Sequence, residues 1–322
     1  MKKELKLSLI AAGAALIVGA APASAVAQDD DPGARIRGVT RIDTTVRLDR
    51  GGAVDLSLIS GRIRVTGWDR QEVKVAARIE SGRLSFDANS SRVTLTVEDD
   101  DDRGNRRRHH NVGDAQYDVS VPRGSRLILE AVSGDVSATG SQGEIDASSV
   151  SGDVNVTDGV RSVSAESVSG SVTVARVNGS LRSETVSGDL RAQDITGNVE
   201  ASSVSGNIYL VRIQSKDVRT ETVSGDIVYT GSIEAAGRYG FESHSGELRL
   251  NIPRGAGAQF SVETFSGDLS TDFPVTLPPN SRRDGRVEFT VGDGRARVTA
   301  QTFSGRVIIN SGSDSTTRRD DE

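Results

Sequence analysis

Apolar and polar residues alternate with a period of two along most of the chain, and a short phrase interrupts this alternation at regular intervals. The phrase is apolar–Ser–Gly–Asp–apolar, as in Val132-Ser133-Gly134-Asp135-Val136. Counted from its glycine, apolar residues occupy positions −2, +2 and +4, and a weaker pair lies near +11 and +13. A period of two, with many β-branched residues and with Gly, Ser or Asn breaks, predicts two short strands in each repeat.

The phrase recurs along the chain at nearly constant spacing. From Gly134 onward, the difference in number between successive glycines is 18 four times, then 19, 21 and 21, and finally 38. We interpret the last interval as two repeats, divided by a degenerate copy at Gly285-Arg286-Val287. The predicted repeat glycines are Gly61, Gly134, Gly152, Gly170, Gly188, Gly206, Gly225, Gly246, Gly267 and Gly305.

Self-similarity at this period is typical of repeat arrays, whose units become stable only when they stack. Two strands in each period predict an all-β fold, a parallel β-solenoid (β-helix) with about 18–21 residues per coil. We expect each repeat glycine to lie where a side chain would enter a narrow core or where the chain bends. Phe265 and Phe303 replace the valine at position −2, so both are predicted to be core residues.

The flanks of the array are less regular. Residues 28–130 are predicted to form an irregular β-rich part that is continuous with the solenoid and caps it. Residues 131–310 are predicted to form the regular solenoid, and residues 311–322 a disordered polar tail. The strand-like runs of the N-terminal part are Thr45–Leu48, Val54–Leu58, Ile63–Thr66, Val73–Ile79, Val93–Val97, Tyr117–Val121 and Leu127–Leu129.

Residues 1–27 carry the pattern of a secretory signal peptide. Lys2, Lys3 and Lys6 precede an uncharged apolar run from Leu7 to Ala20, and Ala-x-Ala sites follow this run. The run is shorter than the roughly 20 residues that a membrane span needs. We therefore predict export to the periplasm, the cell surface or the medium, with no membrane span in the mature chain.

Composition narrows the functional classes. The 322 residues include no Cys, which excludes a disulfide framework, a thiolate metal site and a cysteine nucleophile. The 45 acidic residues outnumber the 39 basic ones, giving a net charge of −6, and this balance argues against a nucleic-acid partner. No cofactor is predicted.

The recurring Val-Ser-Gly-Asp-Val phrase is accompanied by Gly67-Trp68-Asp69, after the early Ser-Gly copy, and by a Val-Pro-Arg-Gly segment that begins at Val121. Together these motifs resemble a large bacterial family of unknown function whose members are labelled candidate adhesins with β-strand repeats. The resemblance covers nearly the whole mature chain. It implies a β-solenoid in an exported or envelope protein, and it implies no catalytic residues.

One charged segment, between Glu98 and His110, combines clustered carboxylates with two histidines, which are ligands for divalent cations. A charge block between two predicted strands also fits a solvated loop whose acidic half pairs with its basic half. Adjacent histidines lack the spacing of an organised metal site, which favours the loop. The weak candidate metal ligands are Asp99, Asp100, Asp101, Asp102, His109 and His110.

Position +1 of the repeat carries an acidic ladder. Stacked carboxylates could bind Ca²⁺, but calcium-binding nonapeptide solenoids carry their Gly and Asp residues in each half of a coil. Here only one half of each repeat has them, so we favour solvated turn residues. The ladder consists of Asp135, Asp153, Asp189, Asp226 and Asp268, with Ser171, Asn207, Glu247 and Arg306 at the equivalent places.

Position −1 carries a serine ladder, but the chain has no Gly-x-Ser-x-Gly elbow and only three histidines, of which His244 precedes one Ser-Gly phrase. We therefore expect these serines to hydrogen-bond along the stack rather than to act as nucleophiles. The ladder includes Ser133, Ser151, Ser169, Ser187, Ser205 and Ser224.

The sequence thus predicts a non-enzymatic, exported β-solenoid that acts as a structural or adhesive surface at the bacterial envelope. Its expected partner is an envelope polymer, a glycan or another exported protein. Two alternatives remain open. One is a polysaccharide-active or calcium-dependent β-helix enzyme, and the other is an envelope sensor or regulatory partner protein.

Overall fold

The computed structural model describes residues 34–98, 113–274, 282–283 and 285–312. These residues form strands and loops, and none of them belongs to a helix that is long and apolar enough to cross a membrane. The predicted signal peptide, the six candidate metal ligands and residues 313–322 lie outside the described residues.

The strands are β1 (Ala34–Val39), β2 (Arg41–Arg47), β3 (Ala53–Trp68), β4 (Glu72–Ile79), β5 (Arg83–Ala88), β6 (Arg92–Glu98), β7 (Ala115–Pro122), β8 (Arg126–Thr139), β9 (Ile145–Ser149), β10 (Val154–Gly159), β11 (Ser162–Ser167), β12 (Val172–Asn178), β13 (Ser180–Ser187), β14 (Leu190–Thr196), β15 (Val199–Ser205), β16 (Ile208–Gln214), β17 (Asp217–Ser224), β18 (Ile227–Gly231), β19 (Arg238–Ser245), β20 (Leu248–Pro253), β21 (Ala258–Ser266), β22 (Leu269–Thr271), β23 (Arg282–Arg283), β24 (Arg286–Val291), β25 (Ala296–Ser304) and β26 (Val307–Gly312).

Each regular coil contributes one strand to each of two parallel sheets. The first sheet runs in the order β8, β10, β12, β14, β16, β18, β20, β26 and β22. The second sheet runs in the order β8, β9, β11, β13, β15, β17, β19, β25 and β21. The long strands β3 and β8 pair with each other through both sheets. The fold is therefore a parallel β-solenoid, as the repeat predicts.

Inward-facing side chains of the two sheets form one core. At positions +2 and +4, Val172 and Val174 have no exposed surface, and Val163 and Ala165, at +11 and +13, are at most 1% exposed. The structure adds an inward residue at +7, such as Val177, which the repeat pattern did not reveal. These assignments confirm most of the predicted core.

The prediction for position −2 was wrong. The valines at this position are 44–48% exposed, Phe303 is 49% exposed and Phe265 is 79% exposed, so none of them is a core residue. The reason is a change of phase at the Ser-Gly corner. Inward residues lie at −7, −5 and −3 before the corner and at +2 and +4 after it. The step from −3 to +2 is five residues, an odd number, whereas steps within a strand are two. Counting back from +2 in steps of two therefore assigns the wrong face to −2.

The repeat glycines lie one above another in a single file. A Cβ atom added at Gly170 would lie 2.1 Å from the carbonyl oxygen of Gly152, and one at Gly188 would lie 2.2 Å from that of Gly170. Neither Gly170 nor Gly188 has a positive φ, so the close approach of neighbouring backbones excludes a side chain there. The file runs in the order Gly61, Gly134, Gly152, Gly170, Gly188, Gly206, Gly225, Gly246, Gly305 and Gly267.

A file of buried hydroxyl groups lies beside the glycines, at position −3. The Ser167 hydroxyl donates to the carbonyl oxygen of Gly152 at 2.9 Å, and the Thr185 hydroxyl donates to that of Gly170 at 3.1 Å. Buried polar groups need such partners, and five of the hydroxyls at −3 tie one coil to the coil below in this way. Within the described residues, the hydroxyls of Ser203, Thr264 and Thr302 are buried without a hydrogen-bond partner. The expected hydrogen bonding along the stack is thus made at −3, whereas serines at −1, such as Ser169, are exposed.

Chain order and spatial order differ at the C-terminal end. The coil of β25 and β26 is the last in sequence, yet it lies between the β19–β20 coil and the β21–β22 coil. β24 pairs antiparallel with β21, the last strand of the second sheet, and so covers the edge of that sheet. The predicted degenerate repeat at Gly285-Arg286-Val287 was therefore wrong, because this segment leads into a covering strand and is not part of a coil.

At the opposite end each sheet is extended by one strand parallel to β3, β7 or β6, and then by two antiparallel strands. β7, β4 and β2 continue the first sheet beyond β3, and β6, β5 and β1 continue the second. All seven predicted runs overlap one of these strands or β8, whereas the sequence did not predict β1 and β5. The outermost strands carry Arg35, Arg37, Arg41 and Arg47, and charged side chains on an edge strand disfavour pairing with other chains.

Candidate functional site: an exposed apolar ridge

Position −2 faces solvent in every coil and carries an apolar or aromatic side chain. Single exposed valines are ordinary on a protein surface, whereas a continuous file of them is not. We call this file the apolar ridge. In spatial order it consists of Ile59, Val132, Val150, Val168, Val186, Val204, Val223, His244, Phe303 and Phe265.

Backbone hydrogen bonds hold the ridge in register. The Ser151 amide donates to the Val132 carbonyl oxygen at 2.7 Å, and the Ser169 amide donates to that of Val150 at 2.9 Å. Successive ridge side chains are therefore fixed at the spacing of adjacent strands, about 4.8 Å. Ten positions at that spacing extend over roughly 43 Å.

Three stacked rings form one end of the ridge. The rings of His244 and Phe303 have centroids 4.9 Å apart and an interplanar angle of 8°. Those of Phe303 and Phe265 are also 4.9 Å apart, with an angle of 5°. Phe303 lies between the other two only because its coil is inserted between theirs. The sequence alone did not indicate this stack, because His244 and Phe265 belong to repeats that are consecutive in the chain.

One flank of the ridge is the acidic ladder at position +1. Asp153 accepts the backbone N–H of Ser171 through Oδ1 at 2.9 Å, and Asp226 accepts that of Glu247 at 2.7 Å. Each of these carboxylates therefore caps the same position of the next coil. These bonds support the interpretation of the ladder as turn residues.

The other flank is a file of glutamates at position −4, on the outward face of the second sheet. Glu166 is directly opposite Glu184 on the neighbouring strand, and Glu221 is directly opposite Glu242. Like charges in this arrangement repel each other. Sequence analysis overlooked this file because it followed only the Ser-Gly phrase, although its spacing is the same as that of the glycines.

A second file, at position +6 of the repeat, carries charged side chains. Asp158, Arg176, Asp194 and Arg212 occupy equivalent positions in four successive coils, each with a φ of 53–60°. Arg176 donates to Asp158 at 2.6 Å, and Arg212 donates to Asp194 at 2.8 Å. These hydrogen bonds lower the pKa of both carboxyl groups below the usual value, so their contribution to stability is lost as the pH falls through the folded-state pKa. The pairs are exposed, so this contribution is small.

The described residues bring few other polar groups together. No three His, Asp or Glu side chains among them form a metal-binding group, and the loop that contains the candidate ligands lies outside them, so the metal hypothesis stays a prediction. The ring of His244 stacks on Phe303, which is not the setting of a general base beside a serine.

Three of the four tyrosines are buried, so their rings are not available as the aromatic platforms on which polysaccharide-active enzymes bind sugars. The Tyr117 hydroxyl donates to the Ser57 carbonyl oxygen at 3.2 Å, and the Tyr229 hydroxyl donates to that of Ser232 at 2.6 Å. Burial raises the pKa of both phenols well above the usual value. Tyr239 packs against Tyr229, with ring centroids 6.2 Å apart, and helps to fill the wider coil before Gly246. These rings contribute to the core and not to a binding surface.

A two-sheet parallel solenoid with one continuous apolar ridge is a repeat protein that presents the same side chains many times along one edge. The chain belongs to the Toastrack DUF4097 family, a family of unknown function, whose model matches residues 53–310.

Two solved structures resemble this chain. A candidate cell adhesion protein from Clostridium sporogenes ATCC 15579 is 9% identical over 84% of this chain and 99% of its own, with a TM-score of 0.25. A candidate adhesin from Bacteroides fragilis NCTC 9343 is 10% identical over 84% of this chain and 96% of its own, with a TM-score of 0.36. No curated protein matches the sequence.

Proposed function

We propose that this protein is an exported, non-enzymatic β-solenoid whose apolar ridge is an adhesive or structural contact surface at the bacterial envelope. The observation that carries the proposal is the continuous file of exposed apolar or aromatic side chains at position −2. Water-exposed apolar surface of this continuity is unfavourable unless a partner covers it. The export step rests on the signal-peptide pattern of residues 1–27.

Repetition is the proposed mechanism. One valine contributes little binding energy, since burying a whole side chain of this size gives about 1.5–3 kcal/mol and the ridge valines are already half covered. A partner that contacts several coils binds each further coil as an intramolecular event, so weak contacts add up to a useful affinity. The rigid backbone ladder fixes the spacing of these contacts before binding, which reduces the entropy lost.

Removing the valines of three adjacent coils tests the proposal. We expect the triple variant V150S/V168S/V186S to bind the envelope fraction of the producing bacterium at least tenfold more weakly in a co-sedimentation assay. The variant should keep its fold, because all three side chains are about half exposed.

The matched control is V160S/V211S/V228S, which removes three exposed or half-exposed valines that lie away from the ridge. We expect this control to bind like the unaltered protein. Unchanged binding of the ridge variant, or an equal loss in the control, would contradict the proposed function.

A further inference from the structure

We infer that the apolar ridge docks a basic amphipathic helix of a partner protein, one whose apolar stripe is bordered by Lys and Arg. This inference rests on the proposed function and specifies the chemistry of the partner. It comes from the charges beside the ridge and from the spacing of its side chains.

The strip that contains the ridge, positions −4 to +1 of the ten coils, is strongly acidic. It holds twelve acidic residues and only two basic ones, Arg62 and Arg306. From chain totals of 45 and 39, this leaves 33 acidic and 37 basic residues elsewhere, so the negative charge is concentrated at the ridge. The twelve are Glu130, Asp135, Asp153, Glu166, Glu184, Asp189, Glu221, Asp226, Glu242, Glu247, Glu263 and Asp268.

These carboxylates border the ridge on both sides. A residue at −4 is on the same strand face as the residue at −2, about 6.6 Å away, and the residue at +1 lies beyond the corner. Among the described residues, five of the twelve carboxylates form ion pairs with arginines: Asp135 with Arg62, Glu184 with Arg182, Asp189 with Arg191, Glu247 with Arg249 and Glu263 with Arg286. Glu130, Glu221 and Glu242 form no ion pair with any described residue, and Glu221 lies directly opposite Glu242 on the neighbouring strand. The repulsion between such neighbours is not relieved within the described part of the protein. A cation from a partner would relieve it.

The charge pattern selects among possible occupants. A second copy of the ridge would place carboxylates against carboxylates, and an anionic lipid surface or a nucleic acid would be repelled in the same way. A partner with basic groups on both sides of an apolar stripe complements both features at once. Attraction between opposite charges at a partly desolvated interface also accelerates association.

The spacing of the ridge selects a helix over an extended strand. A helix presents its apolar stripe once per turn of about 5.4 Å, close to the coil spacing of about 4.8 Å. Over three turns the two repeats drift apart by only about 2 Å. An extended strand repeats its same-face side chains at intervals of about 6.6 Å, and thus loses register with the ridge much sooner.

A synthetic 18-residue peptide of Leu and Lys at helical spacing is the probe, and fluorescence anisotropy with the full mature chain is the measurement. We expect V150S/V168S/V186S and E130Q/E221Q/E242Q, which removes three carboxylates that form no ion pair within the described residues, each to weaken binding at least tenfold. We expect the control E144Q/D146N/E200Q, which removes three carboxylates away from the ridge, to weaken it less than threefold. A scrambled peptide of the same composition should bind at least tenfold more weakly than the helical one.

The inference would be overturned if the control carboxylate variant lost as much binding as the ridge carboxylate variant. It would also be overturned if the scrambled peptide, or a Leu/Glu peptide at the same helical spacing, bound as tightly as the Leu/Lys peptide. Failure of the Leu/Lys peptide to bind would also overturn it. If the valine variant still loses its envelope binding in that case, the ridge remains the contact surface and only the assignment of the partner fails. If the valine variant keeps its envelope binding, the proposed function fails as well.

Discussion

Replacing Gly170 with valine is expected to lower the free energy of unfolding by about 3–5 kcal/mol. A Cβ atom at this position would lie 2.1 Å from the carbonyl oxygen of Gly152 and 2.6 Å from its carbonyl carbon. Both contacts are with backbone atoms, which cannot move without breaking the hydrogen bonds between coils. We expect even Gly170→Ala to be destabilising for the same reason. Denaturant unfolding of the purified variants provides the measurement.

Gly240 offers a matched control in the same fold. It lies in strand β19, and a Cβ atom added there would have no heavy atom within 4 Å, apart from its chain neighbours. Its φ is not positive, and valine favours strands, so Gly240→Val should leave stability unchanged or raise it slightly. Similar stability of the Gly170 and Gly240 variants would show that backbones do not approach closely at the glycine file.

Deleting one residue, Asp189, is expected to destabilise the protein more than deleting an entire coil, residues 153–170. The single deletion shifts the phase at one corner, so that the inward side of either β13 or β14 must turn outward. Deleting residues 153–170 removes one full period and connects Gly152 to Ser171. The coils on either side then stack with every inward position in place, because stability in such arrays is approximately a sum over neighbouring repeats.

Circular dichroism and thermal unfolding of the two deletion variants test this expectation. The variant that lacks residues 153–170 should unfold in a single transition within a few degrees of the full chain. The variant that lacks Asp189 should lose several kcal/mol, with a broadened transition. The reverse ranking would mean that the coils are not interchangeable units.

Much of this fold could be predicted from the sequence because the repeat itself determines it. The constant spacing of the glycines and the alternation of apolar and polar residues are enough to predict two strands per coil, a file of glycines and aliphatic side chains at +2 and +4. Such features depend on local patterning, and every coil repeats them. An ambiguous pattern in one repeat can therefore be interpreted from the others.

The ridge could not be found in the same way, because the face of a residue depends on the geometry of the corner. A strand pattern assigns inside and outside only within one strand, and the Ser-Gly corner changes the phase by one residue. Phe265 and Phe303 were therefore assigned to the core, although Phe265 is 79% exposed. The apolar character of position −2 was visible in the sequence, but its exposure was not.

The spatial order of the last coils could not be predicted from the sequence either. Chain order suggests that the coil of Gly267 follows that of Gly246, but the coil of Gly305 lies between them. The only signal was the interval from Gly267 to Gly305, which is twice the usual length and fitted a missing repeat equally well. The spatial order of these coils depends on pairing between strands that are distant in sequence, and a periodic sequence pattern contains no information about that pairing.

Disulfide formation between paired cysteines tests most directly whether the coils stack in the order that completes the ridge. The chain has no Cys of its own, so S245C/S304C and S245C/S266C can be compared without interference. Residues 245 and 304 are partners on adjacent strands, and so are residues 266 and 304. Adjacent strands, about 4.8 Å apart, are within the range for a disulfide, whereas residues 245 and 266 lie two strands apart, about 9.6 Å. We expect rapid oxidation of S245C/S304C and none of S245C/S266C, judged by mobility on a non-reducing gel. Cross-linking of S245C/S266C with S245C/S304C left reduced would contradict the coil order and, with it, the continuous ridge.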